Sequence, residues 1–155
     1  MSNYRLIIDE AIVNLITDYE EGRISLLSEG DLECQLFFYC RKIMEREKMY
    51  PPVIFSQKWF GKKKVDLILG DEVLVELKFE PRNGKEKRVF STIKDSGGQK
   101  YDSIEGDLNK ISEYAAEDKI GRFIMIDEKS VHKKKISQNW KQLKNGSSFL
   151  DVTRP

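Results

Sequence analysis

The stretch Lys63-Lys64-Val65-Asp66-Leu67-Ile68-Leu69-Gly70-Asp71-Glu72-Val73-Leu74-Val75-Glu76-Leu77-Lys78-Phe79 decides how this chain folds. Two apolar runs flank Gly70-Asp71-Glu72, the pattern of two antiparallel strands joined by a tight turn. In the second run Val73, Val75, Leu77 and Phe79 share one face, and Leu74, Glu76 and Lys78 share the other. In the first run Val65, Leu67 and Leu69 lie together, opposed by Asp66 and Ile68. A slip of one residue would turn every side chain to the wrong face, so matching the apolar faces sets the register. A Gly70–Glu72 loop places Asp66 across from Glu76. Asp66, Glu76 and Lys78 then stand on one surface.

Two carboxylates directly opposite one another repel by roughly 0.2–1 kcal/mol. Their neighbours are strongly apolar, and burying paired acids is costly unless they share a cation. Lys78 is one such cation. A hard divalent ion would be another: Mg²⁺ takes one or two carboxylates, waters and substrate phosphate oxygens, with Mn²⁺ as a substitute. The chemistry this predicts is phosphodiester hydrolysis. Asp66 and Glu76 would hold the ion, with the Leu77 carbonyl as a further ligand. The ion would polarise the phosphate and stabilise the leaving oxygen. Lys78 would orient the attacking water, assist its deprotonation or offset developing charge. The competing reading is a salt-bridged hairpin. A Glu-any-Lys triplet alone carries no weight, since Glu117-Asp118-Lys119 is another.

Working outward, Leu6, Ile7, Ala11, Leu15 and Ile16 predict a helix over residues 4–20. Leu32, Leu36, Cys40 and Ile43 predict a second from about Asp31 to Glu47, ended by Pro51-Pro52. Val53–Trp59 reads as a strand before the hairpin. Residues 80–101 are polar, basic and long for a loop, with Val89–Ile93 as a short strand inside it. A third helix starts near Asp102, where Asp102 and Glu105 form a variant capping box, and Gly121 closes the turn after it. Phe123–Ile126 reads as a buried strand, the region around Trp140 as partly helical, and Phe149–Val152 as a last strand. A meander followed by a helical crossover predicts an α/β fold with a mixed sheet flanked by helices.

The pattern resembles the PD-(D/E)XK nuclease superfamily, with its acid followed by Glu-any-Lys: Asp66, then Glu76, Leu77 and Lys78. Val65 stands where many members have Pro. The resemblance implies a restriction-endonuclease-like αβββαβ core over about residues 28–127, with an extra N-terminal helix. Residues 128–155 would add a basic segment and the last strand to a single domain. It also implies that Glu33, on the helix before the meander, joins Asp66 and Glu76 as a metal-binding and catalytic acid. Gln99 and Tyr101 precede the third helix as a Gln and a Tyr do in some members, at a different spacing.

Net charge is +1, from 27 Lys and Arg against 26 Asp and Glu, so any phosphate-binding face must come from local clustering. Lys62, Lys63 and Lys64 form one cluster. Arg82, Lys85, Lys87 and Arg88 form a second, and Lys129–Lys144, including Lys133, Lys134 and Lys135, a third. Lys100 stands before the third helix. Each has a bland reading as solvating surface. Trp59, Phe60 and Trp140, flanked by Lys, either stack on bases or anchor the core. Asp107 and Lys110 either point toward the site or, the favoured reading, form a solvated helix face. His132, the single histidine, reads as exposed, which disfavours histidine-clustered zinc and Ser-His-Asp chemistry. Cys34 and Cys40 would be about 9 Å apart on a helix, too far for a disulfide, and read as buried thiols of a reducing compartment. No run approaches the ~18–20 apolar residues of a membrane span, and the first residues do not read as a secretion signal; a cytoplasmic protein without membrane contact is expected.

These readings converge on a metal-dependent nuclease, with DNA favoured over RNA. Cutting both strands of a duplex would favour a homodimer, and the lack of a reader module would favour a targeting partner protein. A non-catalytic nucleic-acid-binding or assembly module on the same fold is the alternative.

Overall fold

A computed structural model describes residues 3–82, 93–94, 100–101, 103–134 and 136–155. The elements run α1 (Asn3–Glu20), α2 (Glu29–Arg46), β1 (Ile54–Phe60), β2 (Lys63–Leu69), β3 (Val73–Glu80), β4 (Ile93–Lys94), β5 (Lys100–Tyr101), α3 (Ser103–Ala116), β6 (Ile120–Asp127), β7 (Lys141–Gln142) and β8 (Ser148–Arg154). Six strands form one mixed sheet in the order β1-β2-β3-β6-β8-β7, and β4 pairs with β5 separately. Of the extra strand read at Val89–Ile93, only Ile93 lies among the described residues. Asp102 of the capping box lies outside them.

The hairpin has the register its apolar faces demand. Leu67 pairs with Val75, Ile68 with Leu74 and Leu69 with Val73. Gly70 takes the positive φ of 60° that the tight turn needs, and a β-carbon there would also strike the Tyr4 ring. β3 and β6 run parallel, from Val73 beside Ile120 to Glu80 beside Asp127. A parallel pair needs a crossover, and α3 supplies it.

Apolar side chains fill both faces of the sheet. On one, α1 and α2 bury Ile8, Leu15, Leu32, Leu36 and Met44 against Leu67, Val75, Leu77 and Ile124. On the other, Ile104, Ile111 and Tyr114 of α3 pack on Ile68, Leu74, Phe123 and Met125.

The structure departs from the sequence expectation at several places. α2 begins at Glu29, ahead of Asp31, because Ser28 is its cap: Ser28 Oγ accepts from the Asp31 N–H at 3.1 Å, and Asp31 Oδ2 from the Leu27 N–H at 2.9 Å. Gly121 lies inside β6 and closes no turn. A β-carbon there would stand 2.2 Å from the Ile111 carbonyl oxygen, so the glycine permits close packing of α3 on the strand. Trp140 is not helical; its indole N–H donates to the Ile136 carbonyl at 3.1 Å. The spacing of Ile136 and Trp140 suits a helix, but a turn leading into β7 brings both onto the α3-side core. Val65 joins that same core, away from Leu67 and Leu69. The alternation therefore breaks beside Asp66. Cys40 is buried, and burial pushes its thiol up to about 12, whereas Cys34 is exposed. No described helix is long and apolar enough to cross a membrane.

Candidate active site

The β2–β3 ladder ends at Leu67 and Val75. One step further the register would set Asp66 against Glu76, and here the strands open. Asp66 fills the gap with its side chain: Oδ2 accepts from the Leu77 N–H at 2.8 Å. In a strand the N–H and C=O of one residue point to the same side. The Leu77 carbonyl therefore also opens toward Asp66, and Lys78 Nζ folds back to donate to it at 3.3 Å.

β1 carries a matching irregularity. Ser56 pairs with Leu67 and Lys58 with Val65, leaving Gln57 and Asp66 unpaired between them. Gln57 has φ 51°, which is strained for a residue with a side chain. Its amide donates to Asp66 Oδ1 at 3.1 Å and to Glu33 Oε2 of α2 at 2.7 Å. Glu33 thus reaches the centre through Gln57.

Three side chains of α3 complete the cluster. Tyr114 donates to Glu76 Oε1 at 2.6 Å, and Lys110 Nζ lies 3.2 Å from Glu76 Oε2 and 3.0 Å from Asp107 Oδ1. Lys78 Nζ lies 3.0 Å from Asp107 Oδ2 and 3.5 Å from Glu29 Oε2 at the start of α2. Asp107 and Lys110 are therefore part of the site and not a solvated face. Ile104, Asp107, Ile111 and Tyr114 recur at three- and four-residue steps, so the apolar face of α3 carries Asp107 inward with it.

Carboxylates outnumber cations here. Glu29, Glu33, Asp66, Glu76 and Asp107 face Lys78 and Lys110, with Lys64 acting on Glu33 from the hairpin. Glu76 is 2% exposed, and burial, then the Asp66 charge, push its carboxyl up to about 7. Burial raises Glu29 and Glu33 as well. Burial pulls on Lys78 in the other direction, but Asp107 and Glu29 outweigh it and hold the amine above its ordinary value. Glu76 and Asp107 do the same to Lys110.

This donor set is all oxygen with surplus negative charge, which suits a hard cation. Among the described residues no group of three or more His, Cys, Asp or Glu side chains stands ready as a metal cage. Mg²⁺ does not require one, since waters and phosphate oxygens complete its shell. The candidate oxygens are those of Asp66 and Glu76, the latter held by Tyr114 and Lys110, and the Leu77 carbonyl, with Glu33 behind Gln57.

The basic residues divide by position. Lys62, Lys63 and Lys64 sit on the β1–β2 hairpin next to Asp66, where Lys63 ion-pairs with Glu113. Lys133 and Lys134 are exposed on a 3-10 turn, His132–Lys134, at the far end of β3. Lys85, Lys87, Arg88, Gln99 and Lys135 lie outside the described residues, as do the side chains of Lys100 and Tyr101. Trp59 is 65% exposed and anchors no core. Phe60 packs edge-on against Tyr114 with ring centres 5.8 Å apart.

His132 is buried, contrary to its expected exposure. The turn after β6 folds it inward because both oxygens of buried Asp127 accept backbone N–H groups, from Lys129 at 3.1 Å and His132 at 2.8 Å. Its ring nitrogen Nε2 then lies 3.5 Å from Glu80 Oε2, and Lys129 Nζ lies 3.4 Å from Glu80 Oε1.

Glu29, Gln57 and Tyr114 were not singled out by sequence reasoning. Glu29 is hidden by placing the helix start at Asp31, and Gln57 by a backbone irregularity that no sequence pattern marks. Tyr114 had a readable signal, a hydroxyl on an apolar helix face. No family model matches the chain, and comparison with curated proteins and with solved structures yields no match.

Proposed function

We propose that this protein is a metal-dependent nuclease that hydrolyses phosphodiester bonds in DNA, on a restriction-endonuclease-like core. The observation that carries this reading is the opening of the β2–β3 ladder at Asp66 and Glu76, where buried and half-buried carboxylates together exceed the lysines paired with them. The succession α2, β1, β2, β3, α3, β6 supports the αβββαβ reading, with α1 as the extra helix.

Asp66, Glu76, the Leu77 carbonyl and Glu33 are the oxygens that would hold Mg²⁺ or Mn²⁺. When bound, the ion would supply Lewis acidity to the phosphate and stabilise the leaving oxygen. The chain's own residues do the rest. Gln57 and the Leu77 N–H fix the Asp66 carboxylate. Tyr114 fixes Glu76. Lys78, held as an ammonium by Asp107 and Glu29, is a donor: it orients the attacking water and offsets charge on the phosphate. In that state it does not serve as the base.

The test is cleavage of linear, supercoiled and single-stranded DNA, with RNA alongside, in Mg²⁺ or Mn²⁺. Wild type should cut DNA. Asp66→Asn and Lys78→Ala should lose cleavage while keeping their circular dichroism. Absence of both cleavage and metal-induced stabilisation in the wild type would favour a non-catalytic binding module.

A further inference from the structure

The β1–β2 hairpin runs past the proposed centre and carries an unusual surface. Between Pro51 and Val65 the sequence holds four lysines, Lys58, Lys62, Lys63 and Lys64, and no acid. β1 is the edge strand of the sheet, and Ser56 to Trp59 are all exposed. Phe55 already carries a cation, with Lys58 Nζ 3.9 Å from its ring centre. Trp59 makes no ring or cation contact among the described residues. Its register partner is Lys64, and paired residues on neighbouring strands project to the same face. An open indole and an ammonium group therefore stand side by side. Gln57, two residues or about 7 Å back along the strand, is the residue that touches Asp66 and Glu33.

We infer that this hairpin is a stacking platform for unpaired DNA bases, so that the preferred substrate is single-stranded DNA or DNA with a single-stranded segment at the cut. An indole face needs a free base face. Inside a duplex the base faces are covered by their neighbours, whereas an unpaired strand offers them. Trp59 takes the base beside the bond to be cut, and Lys64 takes its phosphate. Lys62 extends the positive track around the turn. The inference deepens the nuclease reading and rests on it only for the position of the cut.

Binding without metal separates the two. Oligo-dT is titrated into wild type, Trp59→Ala, Trp59→Phe and Lys64→Ala in EDTA, following tryptophan fluorescence and anisotropy of a labelled oligonucleotide. A relaxed circular duplex and oligo-rU serve as competitors. Oligo-dT should quench the wild-type fluorescence. Trp59→Ala should weaken oligo-dT binding about tenfold or more, Trp59→Phe by less than threefold, and Lys64→Ala should weaken it and lower its salt dependence. The duplex should compete poorly, and oligo-rU no better than oligo-dT. Equal affinity of Trp59→Ala and wild type would overturn the inference. So would preference for the duplex or for oligo-rU, or a wild-type dimer that Trp59→Ala dissociates, which would make the hairpin an interface between copies. If oligo-dT binds as expected and nothing is cut in Mg²⁺, the platform stands and the nuclease reading fails.

Discussion

The two halves of β3 bury acids in opposite ways. At Glu80 the chain neutralises what it buries. Asp127, beside it on β6, accepts two backbone N–H groups, and Glu80 faces Lys129 and His132. At Glu76 the chain gathers five carboxylates from α2, β2, β3 and α3 and sets fewer ammonium groups against them, Lys78 and Lys110 in contact and Lys64 near Glu33. Both ends lie in the same buried strand, so burial alone does not separate them. The first arrangement is what folding selects for, since each buried acid is met by backbone N–H groups or by a basic side chain. The second has a surplus that a retained proton or a bound cation would balance, and such surpluses collect where a protein binds or reacts.

Activity should separate the two ends most. Lys78→Ala should lower DNA cleavage by at least about a hundredfold, the scale of removing one group that stabilises developing charge. Glu80→Gln, only two residues along the same strand face, should leave the rate within a few fold. Initial rates in Mg²⁺ at matched folded concentration decide it, and equal losses in the two variants would dissolve the distinction between the ends.

pH sharpens the contrast next. The Glu76 carboxyl rises on folding from 4.5 to about 7. A carboxyl raised in this way holds its proton more tightly in the folded protein than in the unfolded one. Its contribution to stability is therefore full below pH 4.5 and falls as the pH rises toward 7. Removing the penalty should recover on the order of 3 kcal/mol above pH 7. Metal-free wild type should thus lose stability between pH 5 and pH 7.5, and Glu76→Gln should lose much less. Urea titrations at several pH values measure the difference. A parallel decline in both proteins would mean that the surplus charge lies elsewhere in the cluster. Mg²⁺ should restore the wild type at the upper pH and leave Glu76→Gln largely unmoved.

The balanced end should respond in the reverse sense. Asp127→Asn removes the charge that two backbone N–H groups cap and sets an amide against them, at about 1–3 kcal/mol. Glu80→Gln weakens the pairing with Lys129 by a smaller amount. Chemical denaturation at pH 7 in EDTA should therefore rank Glu76→Gln at or above wild type and Asp127→Asn below it. Destabilisation by Glu76→Gln would show that Tyr114 and Lys110 already neutralise it, and would place both ends in one class.

How much of this was legible in the sequence follows from the same contrast. Asp66, Glu76 and Lys78 were readable because strand parity is a rule of two, and a slip would have moved Val73, Val75 and Leu77 to the opposite face of the sheet. The meander and the α3 crossover followed from the apolar runs. Asp107 and Lys110 were weighed and set aside because a helix face gives no sharp parity, so charged residues beside an apolar stripe look like its solvated margin, and Tyr114 passed as one more aromatic of that stripe. Glu29 was missed by two residues of helix boundary. His132 was misplaced because a run of Lys marks exposure on average, while the Asp127 carboxylate turns this particular residue inward. Gln57 depends on a local backbone distortion that residue types do not encode.

The smallest expected effect concerns the lysines at the two ends. Lys62 stands on the hairpin turn beside the acid-rich centre, while Lys133 stands beyond Glu80 with its ammonium 3.5 Å from Gln142 Oε1. Each phosphate contact on a single strand contributes about 0.7 to the slope of log K against log salt. Lys62→Ala should flatten that slope by about this amount, and Lys133→Ala should scarcely change it. Both variants replace a surface lysine and should keep wild-type stability, so a difference in slope reports position alone. Equal slopes would mean that DNA runs along the whole of β3 and contacts both ends. The chemistry would then still belong to the Glu76 end, but the binding face would no longer be confined to the β1–β2 hairpin.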